Sequence, residues 1–176
     1  MAEFAIHKKF DNEPDIQRNY MFDLNIPDMS KYGISEDILT VRCRNLSLPG
    51  RGQEPIESTF MGMKQFYPGK PTFPGTLSIM FEEFEDRKVS TALYNWQQDI
   101  FDVHDAGAAL VGSKAEIAKT MTIRMYDYAG NLLTEGGEIE VINAWPQDIA
   151  DVSLDYTGNE SVKYTAVFQY DRWLLK

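Results

Sequence analysis

Carboxylates are the commonest reactive groups in this chain, and two close pairs, Glu82 with Glu83 and Asp99 with Asp102, have the composition of a glycosidase acid and base. Nothing sets them apart from the acidic pairs that 27 Asp and Glu residues produce by chance. Serine, histidine and aspartate are present, but no GxSxG elbow exists to position a nucleophile. Cys43 is the single cysteine, which excludes an intrachain disulfide and any cysteine-built zinc or iron site. Arg42 and Arg44 flank its thiol without a neighbouring base, so it reads as a free strand cysteine with no assigned chemistry. His7 and His104 are far apart, and neither GxxxxGK[ST] nor GxGxxG is present to cradle phosphate. The reactive residues therefore point away from an enzyme, with no catalytic, metal or cofactor-binding residue and no cofactor expected.

The formal charge of −10, from 27 acidic and 17 basic residues, argues against a surface that binds nucleic acid, since phosphates need cations. With 176 residues and 43% hydrophobic content, one core with extended arms is expected. No run of about 18 apolar residues is present, and MAEFAIHKKF is not followed by an apolar stretch, so neither a membrane span nor a signal peptide is expected.

The elements follow from periodicity. Residues 1–19 read as a polar N-terminal arm and residues 20–176 as one domain. YMFDLNIP reads as a strand with Phe22, Leu24 and Ile26 on one face. Residues 38–46 read as another strand, with Leu39, Val41 and Cys43 opposed to Thr40, Arg42 and Arg44. EPIESTFMGMKQFYP sets Ile56, Ser58 and Phe60 against Glu57, Thr59 and Met61, and with the proline-rich YPGKPTFPG it suits a long hairpin projecting from the body. ESTFMGMKQF is expected to pair with FPGTLSIMFEEF, whose Leu77, Ile79 and Phe81 share a face.

One helix stands out, from about Asp86 to His104. Its stripe of Val89, Leu93, Trp96, Ile100 and Val103 opposes Lys88, Asn95, Gln98 and Asp99, with Asp86 capping the start and Gly107 the end. AGAALVGSKAEIAK reads as a connecting loop with room for a helical turn. KTMTIRMYD and EIEVINAW then form one hairpin-like unit. DVSLDYT and ESVKYTAVFQYD form a second across Gly158-Asn159, with Val162, Tyr164, Ala166, Phe168 and Tyr170 on one face. The expected fold class is mainly β: an antiparallel β-sandwich or open barrel of about eight strands with one flanking α-helix.

Alternation also locates a wet face. Glu138 and Glu140 alternate with Ile139 and Val141, so both carboxylates share one side of a strand. Glu57 with Thr59, Thr122 with Arg124, and Thr40 with Arg42 occupy comparable positions.

Leu48-Pro49-Gly50, Asn95-Trp96-Gln97, and Trp145-Pro146 followed by Leu154-Asp155-Tyr156 occur in the order and spacing of phage tail tube proteins, which the chain resembles from about Tyr20 to Trp173. The tubes of bacteriocin particles and type VI secretion systems are relatives of that family. The resemblance implies a virion structural protein whose hexameric rings stack into a tube inside a contractile sheath, with sheath, baseplate and tail terminator proteins as partners. DNA would pass through the lumen without specific binding, and the chain would be assembled in the host cytoplasm with no membrane partner.

The resemblance makes Arg42, Glu57, Thr59, Thr122, Arg124, Glu138 and Glu140 candidates to line the channel. It makes Leu48, Pro49, Arg51, Phe66, Tyr67 and Phe73 candidates to contact the next ring. Six copies carry about −60 formal charge, so an acidic wall that repels phosphate is expected. A type VI or bacteriocin tube, and a monomeric carbohydrate-binding sandwich with exposed Tyr and Trp, are the alternative functions.

Overall fold

The computed structural model describes residues 16–100 and 113–176. Among them are nine strands: β1 (Phe22–Asn25), β2 (Cys43–Leu46), β3 (Gly52–Phe60), β4 (Met63–Thr72), β5 (Thr76–Glu82), β6 (Lys119–Met125), β7 (Glu138–Ile149), β8 (Lys163–Gln169) and β9 (Arg172–Leu175). Three α-helices accompany them: α1 (Glu36–Arg42), α2 (Lys88–Ile100) and α3 (Lys114–Ile117). Every strand pair is antiparallel. The mainly β architecture with a flanking helix is thus the one the alternation predicts.

Seven strands form one sheet in the order β1-β6-β7-β8-β5-β2, with β9 also on β7. Strand β7 holds the two halves together, because its first half pairs with β6 and β9 and its second half with β8. Between the halves Asn143 adopts φ 57°, a left-handed conformation that asparagine tolerates better than most residues. Its amide donates to Asp171 Oδ2 at 2.7 Å, and Lys114 Nζ reaches Asp171 at 2.6 Å. The bend lets one sheet wrap a single core that includes Leu24, Ile79, Phe81, Ile123, Val141 and Phe168.

Helix α2 closes this core. Val89, Leu93 and Trp96 are buried and Ile100 packs partly against them, as the stripe requires; Val103, His104, Asp102 and the expected cap Gly107 lie outside the described residues. Trp96 stacks on Tyr32 with centroids 5.9 Å apart, meets Phe168 at 5.8 Å, and donates its indole N–H to the Ile117 carbonyl at 3.0 Å. The main acceptor at the helix start is Glu83 rather than Asp86: its carboxylate takes the N–H groups of Ser90 at 2.7 Å and Val89 at 3.3 Å. From the helix start Asp86 accepts only Lys88 N–H, at 3.4 Å.

Three expectations are corrected. Residues 38–46 are not one strand: α1 runs to Arg42 and only Cys43 onward is extended. Ser35 precedes the helix in extended conformation, Glu36 and Asp37 lie in its first turn where its dipole favours them, and Thr40 Oγ1 donates to Leu24 O at 2.7 Å. Val41, expected to point with Leu39, is 70% exposed. Residues 151–157 form no strand, and β8 pairs instead with β5 and β7. β3 pairs with β4, not β5, across a two-residue turn at Met61-Gly62, where both residues have positive φ.

Two consequences follow for stability. Trp96→Ala removes the ring stack and leaves the Ile117 carbonyl unpaired, so urea unfolding is expected to show a loss of about 3–5 kcal/mol; a loss below 1 kcal/mol would contradict this core. Arg42, through its hydrogen bonds, lowers the Asp86 carboxyl from an ordinary 3.8 to about 2. The folded value lies below the unfolded one, so the pair stabilises above pH 3.8 and is lost as pH falls toward 2. Asp86→Asn is therefore expected to lower the Tm at pH 7, with the gap to the parent closing across that interval in thermal melts.

Candidate functional site

The described members of the two acidic pairs have structural roles. Glu82 is held by Arg44, Glu83 receives the first N–H groups of α2, and Asp99 pairs with Lys31. Cys43 is half-buried at the start of β2, and burial pushes its thiol up to about 12, away from nucleophilic reactivity. Among the described residues no group of three or more His, Cys, Asp or Glu side chains is arranged to hold a metal. Trp96 is buried, while Trp145 and Trp173 pack against the core, so the tryptophans form no open platform for stacking a sugar.

Two surfaces remain that the fold presents without using. The first is the outer face of β1, β6, β7 and β9. Register places Arg124 opposite Glu138 and Thr122 opposite Glu140, so these four sequence-chosen residues share one half-buried face. The same face holds Asp23 and Asn25 of β1, Arg172 of β9, and Lys176. Arg124 Nε donates to Glu138 Oε2 at 3.1 Å, which holds the guanidinium above its ordinary value. Lys176 pairs with Glu140 and is raised for the same reason. Tyr126 donates to Asp23. Asp23, Glu138 and Glu140 thus stand against Arg124, Arg172 and Lys176. The expected acidic wall is not what this face carries, because its carboxylates and cations balance and two of each are paired.

The second surface is the β3–β4 hairpin. Residues facing each other across its ladder share a side, so Ile56 with Tyr67 and Phe60 with Met63 put two apolar pairs on one face, with Ser58 and Gln65 between them. Glu57 with Phe66 and Thr59 with Lys64 form the other, closed by the Glu57–Lys64 ion pair at 2.6 Å. Phe60 and Met63 are 74% and 75% exposed, and Met61 at the turn is 90% exposed. The hairpin is held to a close internal fit: a Cβ added at Gly69 would lie 2.2 Å from the Glu54 carbonyl oxygen.

The remaining sequence-chosen residues divide. Glu57 and Thr59 sit on the hairpin's polar face, in a different sheet from Glu138 and Glu140. Arg42, expected on a strand, ends α1; its side chain is only 11% exposed, with NH1 and NH2 on Asp86 at 2.8 and 2.7 Å and its guanidinium over the Phe84 ring. Leu48, Arg51, Phe66 and Tyr67 are exposed, whereas Pro49 is buried and Phe73 packs partly against the core. Lys176, Asp23 and Arg172 escaped sequence reading because they join the wet face only through cross-strand register. Ile56 and Phe60 were visible as one face of an alternation, and Met63 follows from the turn position.

Comparison with known proteins agrees with this geometry. The phage tail tube protein model matches residues 14–176. The tail tube protein gp19 of Enterobacteria phage T4 is 27% identical over 137 residues, covering 76% of this chain and 80% of gp19. In fold, the chain resembles one from the sheath-tube complex of an extracellular contractile injection system, PVC, in its extended state, with TM-score 0.64, 19% identity and 96% of each chain covered. It also resembles one from the tube terminating cap of the anti-feeding prophage, with TM-score 0.66, 20% identity, and 100% and 99% covered. A match spanning almost the whole chain establishes that the chain belongs to the phage tail tube protein family.

Proposed function

We propose that this chain is the repeating subunit of a virion tail tube, that six copies close into a ring, and that rings stack head to tail inside a contractile sheath to give a channel for DNA. The projecting hairpin carries this reading most directly. A lone two-stranded hairpin is marginal in water, and this one exposes Ile56, Phe60, Met63 and Tyr67 on one face that a single subunit leaves uncovered. Contact between unlike surfaces of identical copies closes a ring or extends a filament, and a tube requires both. The sheath, baseplate and terminator are the partners that such a tube meets along its length and at its ends.

In this arrangement the outer face of β6 and β7 lines the channel. Its pattern suits transport in a way that differs from simple acidity. Arg124 and Lys176 are engaged by Glu138 and Glu140, so they are not free to capture passing phosphates, and the excess negative charge lies elsewhere on the subunit. Only charges within about 8 Å act strongly on DNA at physiological salt, so these local pairs matter more than the net charge.

Two experiments bear on these statements. Phe60→Glu with Met63→Glu changes residues that are largely exposed in the single subunit, so monomer stability is expected to stay within about 0.5 kcal/mol while sedimentation shows stacking abolished. Tubes of parental length from this variant would count against the hairpin's role. Glu138→Lys with Glu140→Lys is expected to leave tubes intact but impair DNA ejection, because each removes a carboxylate partner and adds a cation. Normal infectivity of phage carrying both changes would remove this face from the channel.

A further inference from the structure

We propose that the Asp171 side chain sets the angle between the two halves of the sheet and, through that angle, the number of subunits that close a ring. The proposal rests on the tail tube reading and names the residue on which ring closure depends. Two stretches of chain cross from one half of the sheet to the other, and they cross side by side. β7 crosses at Asn143 and Ala144, leaving β6 and β9 to join β8. The chain crosses back at Tyr170 and Asp171, between the end of β8 and the start of β9.

Main-chain pairing is irregular on both sides of this crossing. Val141 and Ala144 of β7 oppose Met121 and Lys119, so three steps on β7 meet two on β6. Pro146 and Asp148 oppose Phe168 and Val167, so two steps on β7 meet one on β8. Each slip places an extra residue on β7, which bends the strand and interrupts the ladder. Core burial draws the halves together but is non-directional.

Direction comes from Asp171. Its N–H donates to the Ile142 carbonyl at 3.1 Å, and its Oδ2 accepts the Asn143 amide at 2.7 Å. Lys114 Nζ donates to its two carboxylate oxygens at 2.6 and 2.8 Å. Lys114 opens α3, whose last residue, Ile117, accepts the Trp96 indole N–H with its carbonyl. One carboxylate thus joins β7, the β8–β9 turn and, through α3, the helix that seals the core. Lys114 and then Asn143 hold that carboxyl below its ordinary value, so it is ionised at neutral pH and its hydrogen bonds are charge-assisted.

Small changes of this angle are amplified around a ring. A closed ring of six turns by about 60° at each contact and one of seven by about 51°, so a change of roughly 9° makes a different ring. The stretch of β7 from Glu138 to Ala144 is about 20 Å long, and a rotation of about 9° at the bend moves its far end by about 3 Å. The end strands β1 and β2 lie on opposite sides of the bend, so contacts made by the two sides of a subunit are related by the angle that Asp171 sets.

Asn143→Gly separates angle from stability, because glycine accepts the left-handed backbone without strain while the amide that binds Asp171 is lost. Electron microscopy of Asn143→Gly and Asp171→Ala assemblies is expected to show rings of mixed subunit number and tubes of uneven diameter, with Asn143→Gly melting close to the parent. Six-fold rings of parental diameter from either variant would overturn the proposal and leave the tail tube reading intact. If neither variant assembles, the single subunit decides. In a Cys43→Ser background, spin labels at Lys163→Cys on β8 and Leu174→Cys on β9, both on exposed residues, report the distance between the halves. Asn143→Gly is expected to shift or broaden that distance distribution, and an unchanged distribution would overturn the proposal. A parental chain that never forms rings or tubes would overturn the tail tube reading and the proposal together.

Discussion

One twelve-residue strand belongs to both halves of the sheet, and the rest of the molecule depends on that sharing. β7 pairs with β6 and β9 in its first half, up to Ala144, and with β8 from Trp145 onward. Without the bend, seven strands would form an open sheet with an apolar face that one thirteen-residue helix could not cover. With it, both halves turn their apolar faces inward and α2 seals the remainder through Trp96. The cost is a left-handed asparagine, offset by its hydrogen bond to Asp171 and the Lys114 ion pair on the same carboxylate.

Wrapping the sheet leaves two features that a solitary protein has reason to avoid. The end strands β1 and β2 do not meet, and the hairpin between β2 and β5 carries its apolar residues into solvent. A monomeric domain ordinarily blunts its edges with charge, proline or a covering element. Here α1 performs that service for β1, while β2 and the hairpin are left available. In the proposed tube both features would become contacts between copies.

Much of this was legible in the sequence. Alternation located β5, β6 and β8 and the Glu138–Glu140 face, and the apolar stripe located α2. What failed did so for a physical reason. Residues 38–43 fit a two-residue period as well as a helix, and the contacts that decide between them come from far along the chain: Thr40 with Leu24, and Arg42 with Asp86, 44 residues away. The partner of β8 was equally hidden, because residues 151–157 alternate like a strand but the β5 ladder occupies that position. Charge balance on the wet face depends on register between Arg124 and Glu138 and between Lys176 and Glu140, 14 and 36 residues apart, so composition alone suggested an acidic wall.

The central claim is that the uncovered hairpin and open edge exist to be covered by further copies. Electron microscopy of the purified chain over a concentration series tests it most directly. The account predicts hollow rings with six-fold symmetry that lengthen into filaments of uniform diameter as concentration rises. A chain that stays a dispersed monomer at every concentration, with and without a preformed tube end to grow from, would contradict it.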